Sequence, residues 1–229
     1  MYLYWDPTYI LVIVGAIICM IASARVKTTF NKYSRYRSMS GMTGAQAAQR
    51  ILQAAGTGDV QIRHVSGSLT DHYNPGNKTL NLSDDVCNST SVAAVGVAAH
   101  ECGHAIQHAT NYAPLNLRSA IVPIANLGST LSWPLFLAGL VMSFRPLLTA
   151  GILLFTAAVL FQLVTLPVEI NASGRALKLL NADGILAPQE VRGAKKVLTA
   201  AALTYVAALA GSILQLLRLL ILAGGRDRD

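Results

Sequence analysis

Five consecutive residues of this chain have the types and spacing for metal chemistry, His100-Glu101-Cys102-Gly103-His104. On a helix, imidazoles four residues apart are separated by one turn, about 6 Å of rise, and both ring nitrogens reach one tetrahedral zinc ion at about 2.0–2.1 Å. The glutamate between them stands beside the metal, where a carboxylate takes a proton from polarised water and passes it to a leaving amine. The pattern therefore points to hydrolysis of an amide, with Zn2+ as cofactor and Glu101 as base. Two hydrogen-bonded core histidines would fill the same positions without a metal, so the surroundings have to decide.

The motif must first lie on a helix. The run Ser91 to His100 is rich in Ala and Val and lacks Pro, and it continues past His104 to about His108, which predicts one buried helix. A catalytic zinc also needs a third protein ligand. His108 lies eight residues from His100, about 12 Å along a straight helix, so it cannot share their ion and is expected at the surface or behind a ligand. Glu190 opens a helix in Pro188-Gln-Glu190, and Asp183 precedes Gly184 in a turn, both ordinary places for an acid. Glu169 differs, because it stands at the end of an apolar run in Leu166-Pro-Val-Glu-Ile-Asn-Ala-Ser173. A charge there is costly without a partner, and zinc is the partner we read, in preference to a snorkelling or salt-bridged glutamate. Ser173, one turn later, is placed to hydrogen-bond a ligand histidine.

Composition sets the frame around these residues. Of 229 residues 53% are hydrophobic and 13% charged, and the mean hydropathy is +0.46, too apolar for an ordinary soluble domain. Four stretches are long enough to cross a hydrocarbon core of about 30 Å: Tyr4 to Ala24, Ser119 to Phe144, Leu147 to Val168 and Val197 to Ala223. The expected fold is a mainly α membrane protein with four transmembrane helices and a small cytoplasmic α+β, zincin-like region carrying the motif helix. Its expected parts are an anchor over 1–24, the zincin-like region over 25–118 and a transmembrane hairpin over 119–168. A helical segment with the third ligand follows over 169–196, then a last span and tail over 197–229.

Ala22-Ser23-Ala24 looks like a signal-peptide cleavage site, but no Lys or Arg precedes the first apolar run, whereas Arg25, Lys27, Lys32, Arg35 and Arg37 follow it. This polarity predicts a retained anchor in the plasma membrane, its N-terminus outside and the active site facing the cytoplasm. Only Arg145 lies between the second and third spans, while five cations from Arg175 to Lys196 follow the third, which agrees. The short tail Arg226-Asp-Arg-Asp229 then lies outside.

The net charge of +7 has no interleaved aromatic stacking pattern, so nucleic acid is excluded and anionic lipid head groups are the expected partner of the cations. Cys19, Cys87 and Cys102 form no CxxC pair or disulfide framework, as suits a reducing compartment, and Cys102 reads as small helix filler.

Between anchor and motif, Thr43 to Ala55 reads as a helix capped by Thr43 and stopped by Gly56. Val60 to Val65, Leu69 to Tyr73 and Lys78 to Leu82 read as strands, with Asn74-Pro-Gly-Asn77 as the turn of a hairpin. A sheet edge beside a zinc site is a natural place for an extended peptide to add as a strand. His72 or Tyr73 on that edge has the chemistry to donate a hydrogen bond to an oxyanion; equally, Tyr73 packs and His72 faces solvent.

Taken in order, Ser40-Gly-Met-Thr-Gly44, Leu69-Thr-Asp-His-Tyr-Asn-Pro75, Ala98 to His108, Tyr112-Ala-Pro114, Arg118-Ser-Ala, Pro167-Val-Glu169 and Ala172-Ser173 resemble the YugP-type membrane zinc metallopeptidases over nearly the whole chain. The topology, a transmembrane hairpin between the motif and the downstream glutamate, is also similar to that of the heat-shock-type and CAAX-type membrane gluzincins. The resemblance implies zinc held by His100, His104 and Glu169 with Glu101 as base. It further implies a peptide or protein substrate and, by analogy of fold alone, a role in membrane protein quality control. Asn171 departs from the family, which usually carries Asp there. Two other readings are a membrane-embedded structural or binding protein with a zinc site and a zinc hydrolase of a non-peptide amide; a purely structural site has no use for Glu101. A membrane-protein partner or homo-oligomer is compatible with the apolar spans.

Overall fold

The computed structural model describes residues 6–224. The first residues of the span expected from Tyr4, and the tail Arg226 to Asp229, fall outside that range. Four helices are long and apolar enough to cross a membrane: α1 (Tyr9–Tyr33), α5 (Ala113–Val141), α6 (Arg145–Ala182) and α7 (Pro188–Gly224). The 38 residues of α6 and 37 of α7 would each run about 55 Å, well beyond the hydrocarbon thickness, so both continue into polar sequence without a break. The chain divides into two compact units.

One unit comprises residues 1–23, 117–166 and 204–229. Its helices pack through small residues, as expected where no water drives association. A Cβ on Gly15 would stand 3.1 Å from Gly211 Cα, and one on Gly128 would stand 2.4 Å from the Leu154 carbonyl oxygen. Arg218 is buried yet paired, its guanidinium 3.1 Å from Asp6 and over the Tyr9 ring.

The other unit comprises residues 24–116 and 167–203 and contains the motif helix and the sheet. Helix α2 (Gly44–Ala54) begins in a capping box: Gln46 N–H donates to Thr43 Oγ1 and Thr43 N–H to Gln46 Oε1. Its buried face is Ala47, Ala48, Ile51 and Leu52, and Gly56, at φ +70°, ends it. Strands β1 (Gln61–His64), β2 (His72–Asn74) and β3 (Thr79–Leu82) form a sheet in the order β1-β3-β2. The β2–β3 pair is the expected hairpin, while β1 lies parallel to β3.

The second strand starts later than its sequence suggests. Leu69 takes φ +55°, a left-handed conformation no strand residue adopts, and Asp71 accepts hydrogen bonds from Ser83 N–H and Oγ that bend the chain into the hairpin. Strand β3 alternates in residue type but is buried at every position, because a strand lies on each side of it and helices cover the sheet. After the one-turn helix α3 (Asp84–Cys87) comes the motif helix α4 (Val92–Ala109), capped by Ser91 Oγ, which accepts from Ala94 N–H. Helices α2 and α4, the sheet and the polar ends of α6 and α7 share one apolar core.

Candidate metal centre

Two helices deliver the site. Helix α4 presents His100 and His104 one turn apart, their rings edge to face with centroids 4.8 Å apart. Helix α6 presents Glu169, only 3% exposed, on the turn after Pro167. Gly103 sets the distance between them: a Cβ there would stand 2.5 Å from the Ala172 carbonyl oxygen, nearer than any side chain tolerates. The second variable position of the motif is thus where the backbone of α6 rests on α4.

Glu169 Oε2 lies 3.3 Å from His100 Nε2 and 3.5 Å from His104 Nε2, and one ligand atom from each of the three falls within 4.8 Å of the others. Tetrahedral bonds of about 2.0–2.2 Å put ligand atoms about 3.3–3.5 Å apart, so both histidine–glutamate separations already match a zinc site. The far ring nitrogens are held from behind. Ser173 Oγ is 3.1 Å from His100 Nδ1, as the sequence led us to expect. Gln107 Oε1 is 3.0 Å from His104 Nδ1.

The chemistry of this last contact tests whether a metal fits. Gln107 is fully buried, and its amide nitrogen donates to the Val168 carbonyl at 2.8 Å and to Asn171 Oδ1 at 3.0 Å. Its oxygen therefore faces His104 and can only accept, so His104 Nδ1 carries the hydrogen. In the neutral ring Nε2 then aims a lone pair at a carboxylate oxygen. Two acceptors so placed need a cation between them, and two imidazoles with one carboxylate are a donor set that zinc prefers. Burial pulls the pKa of His104 down, but its hydrogen bond to Glu169 and the Glu101 and Glu169 charges outweigh this and leave it raised.

Gln107 escaped the sequence reading. Its signal was there, a lone amide among Ala and Ile three residues after His104, but only the return of α6 supplies its partners. Asn171 Oδ1 also accepts from Arg175 Nε at 2.8 Å, so His104, Gln107, Asn171 and Arg175 form one chain of hydrogen bonds. Asn171 thus stands behind the trio.

Glu101 is buried beside the motif histidines and accepts a 2.9 Å hydrogen bond from the backbone N–H of Tyr73. That amide consequently points away from β3, toward the free edge of β2. The Tyr73 hydroxyl lies 2.8 Å from His108 Nδ1, and burial raises the phenol pKa. His72 points elsewhere: its Nδ1 is 2.9 Å from the Thr70 carbonyl and its Nε2 3.1 Å from Asn81 Nδ2, which occupies both nitrogens. The structure thus brings His100, His104 and Glu169 together and links Tyr73 to Glu101; no contact among the described residues links His72 to them. Burial pushes the Cys102 thiol far up, and its sulfur lies 3.6 Å from the Ala48 carbonyl, so it is an inert part of the α2–α4 contact. Glu190 spends its carboxylate on the Met39 and Ala187 backbone amides.

Comparison with known proteins gives the family of the chain. The family described as "putative neutral zinc metallopeptidase" matches residues 8–224. "Putative membrane protease YugP" of Bacillus subtilis (strain 168) is 46% identical over 209 residues, covering 91% of this chain and 93% of that protein. No solved structure matches the chain. Similarity over so much of both chains extends far beyond the motif helix, and this chain belongs to the family described as putative neutral zinc metallopeptidases.

Proposed function

We propose that the chain is an integral membrane zinc endopeptidase of gluzincin type, with His100, His104 and Glu169 as metal ligands and Glu101 as general base. The observation that carries this reading is the spacing of the three ligand atoms together with a buried carboxylate one residue along the helix. Zinc bound there supplies a Lewis acid that lowers the pKa of coordinated water to about 7 and polarises the scissile carbonyl.

The protein's own residues do the rest. Glu101 accepts the proton of the attacking water and delivers it to the amine that leaves. The free edge of β2 holds the substrate backbone as an added strand, its register set by the Tyr73 peptide group. The Tyr73 hydroxyl, backed by His108, is the donor we assign to the oxyanion; His72 is the other candidate on that strand. Ser173 and the Gln107–Asn171–Arg175 chain fix the ring orientations and tautomers of the ligands. The zincin-like catalytic layer comprises 25–118 and 169–196, with 1–24, 119–168 and 197–229 as the membrane portions. The distribution of Lys and Arg supports a cytoplasmic catalytic layer and a plasma-membrane location, and membrane protein quality control is the role we assign.

Cleavage of casein by the full chain in detergent tests the reading. Loss of cleavage with a chelator and with Glu101→Gln is the expected result. Metal binding without cleavage of any peptide, in protein whose Glu101→Gln variant behaves identically, would leave a structural zinc protein; cleavage of non-peptide amides alone would leave the other hydrolase.

A further inference from the structure

A second site lies away from the metal, in a cavity of about 550 Å3 between the last turns of α1 and the first turns of α7. Five cations line it, Arg25 and Lys32 from α1 and Arg192, Lys195 and Lys196 from α7, and none of its lining residues is acidic. Lys32 Nζ lies 5.8 Å from the centroid of Tyr33, another lining residue. Among the described residues, no hydrogen bond or ion pair engages any of the five charged groups. Five like charges this close repel one another, an unfavourable arrangement in a free protein and a favourable one around a bound anion.

Helix positions explain why the charges converge. Arg25, Thr29 and Lys32 fall on one stripe of α1, and Arg192, Lys195, Lys196 and Thr199 on one stripe of α7. The stripes face each other because Gly193 lets α7 approach the Tyr33 ring, where a Cβ would stand 2.9 Å from Cε1. The two threonine hydroxyls add neutral donors among the cations.

The place of the groove in the sequence names the anion. Arg25 directly follows the apolar run of α1 that ends at Ala24, and beyond Leu203 in the lining α7 is mostly apolar and carries no charge until Arg218. A ligand with its phosphate among the cations and its tails alongside these runs meets both surfaces, whereas a free ion meets only the first. We propose that this groove is a binding site for one anionic phospholipid, held by its phosphate group at the level where α1 and α7 enter the bilayer. The proposal stands independently of what the metal site does.

The test uses the full chain in a neutral detergent, titrated with phosphatidylglycerol, phosphatidylcholine or inorganic phosphate while thermal unfolding and lipid adducts in native mass spectra are followed. Phosphatidylglycerol alone should raise the melting temperature and give a one-lipid adduct. R192Q/K195Q/K196Q should weaken that binding at least about tenfold, and K196Q alone about fivefold, while R35Q/R37Q/K178Q, which removes the same charge elsewhere, should leave it unchanged. Should the triple groove variant fail to fold, the single variant decides. The proposal is overturned if phosphatidylcholine binds equally well, if inorganic phosphate reproduces the effect, or if the two triple variants weaken binding alike.

Discussion

The backbone amide of Tyr73 donates to Glu101 Oε2 at 2.9 Å, so the edge strand of the sheet and the acid of the motif helix are held by one hydrogen bond. Glutamine at 101 keeps an acceptor for that bond. Glu101→Gln should therefore retain fold and zinc while kcat falls by about 10²–10⁴, which metal analysis beside peptide-cleavage rates will show. Loss of zinc in this variant would mean that the carboxylate serves the metal and not the water.

Removing Glu169 should release metal. Glu169→Ala is expected to lower bound zinc as severely as His104→Ala, because each deletes one of three ligands. Full zinc occupancy in the Glu169→Ala protein would take that residue out of the centre.

The glycines of the two helices make a matched pair. Gly103→Ala places a methyl 2.5 Å from the Ala172 carbonyl oxygen and should separate α4 from α6, lowering both melting temperature and zinc content. Gly174→Ala, with open space at its Cβ, should be neutral or raise stability by up to about 1 kcal/mol. Equal behaviour of the two would show that the close approach does not build the site.

Gln107→Leu should weaken zinc binding about 10- to 100-fold, measured by competition with a chelator, since His104 loses the acceptor that fixes its tautomer. Tyr73→Phe should lower kcat with little change in KM if the hydroxyl meets the oxyanion; an unchanged kcat would leave the ring a packing role, and His72→Ala then tests the other candidate.

Protons compete with zinc at His104. Its pKa is raised in the metal-free protein, so on acidification zinc affinity should begin to fall above the ordinary imidazole value near 6.5. The same group acts oppositely on the metal-free fold. Its contribution is fully present below the unfolded-state pKa and is lost as pH rises through the higher folded value. The increase in melting temperature caused by zinc should hence shrink from pH 8 to pH 6; a constant increase would dissociate His104 from the metal.

Much of this site was legible because its signals are local. Helical spacing, the Thr43 cap and the turn at Asn74 depend on neighbours within four residues, and each is found where the sequence places it. Glu169 was legible for another reason, the cost of a charge at the border of an apolar run. The parallel pairing of β1, the late start of β2 and the role of Gln107 were not. Each depends on groups far away in the chain: Thr79 to Leu82 for β1, Ser83 for Asp71, and Val168 and Asn171 for Gln107. No periodicity within a strand or helix records those meetings.

The backbone of α6 pressed against Gly103 bears on protein engineering. Grafting the stretch from His100 to His104 onto the helix of another scaffold would transfer two ligands and a base, but a graft needs a second backbone lying against the glycine to carry the carboxylate. A host helix that faces solvent there, or any side chain at 103, would yield a two-histidine surface clasp that binds many divalent ions weakly and selects none. The portable unit is the helix pair.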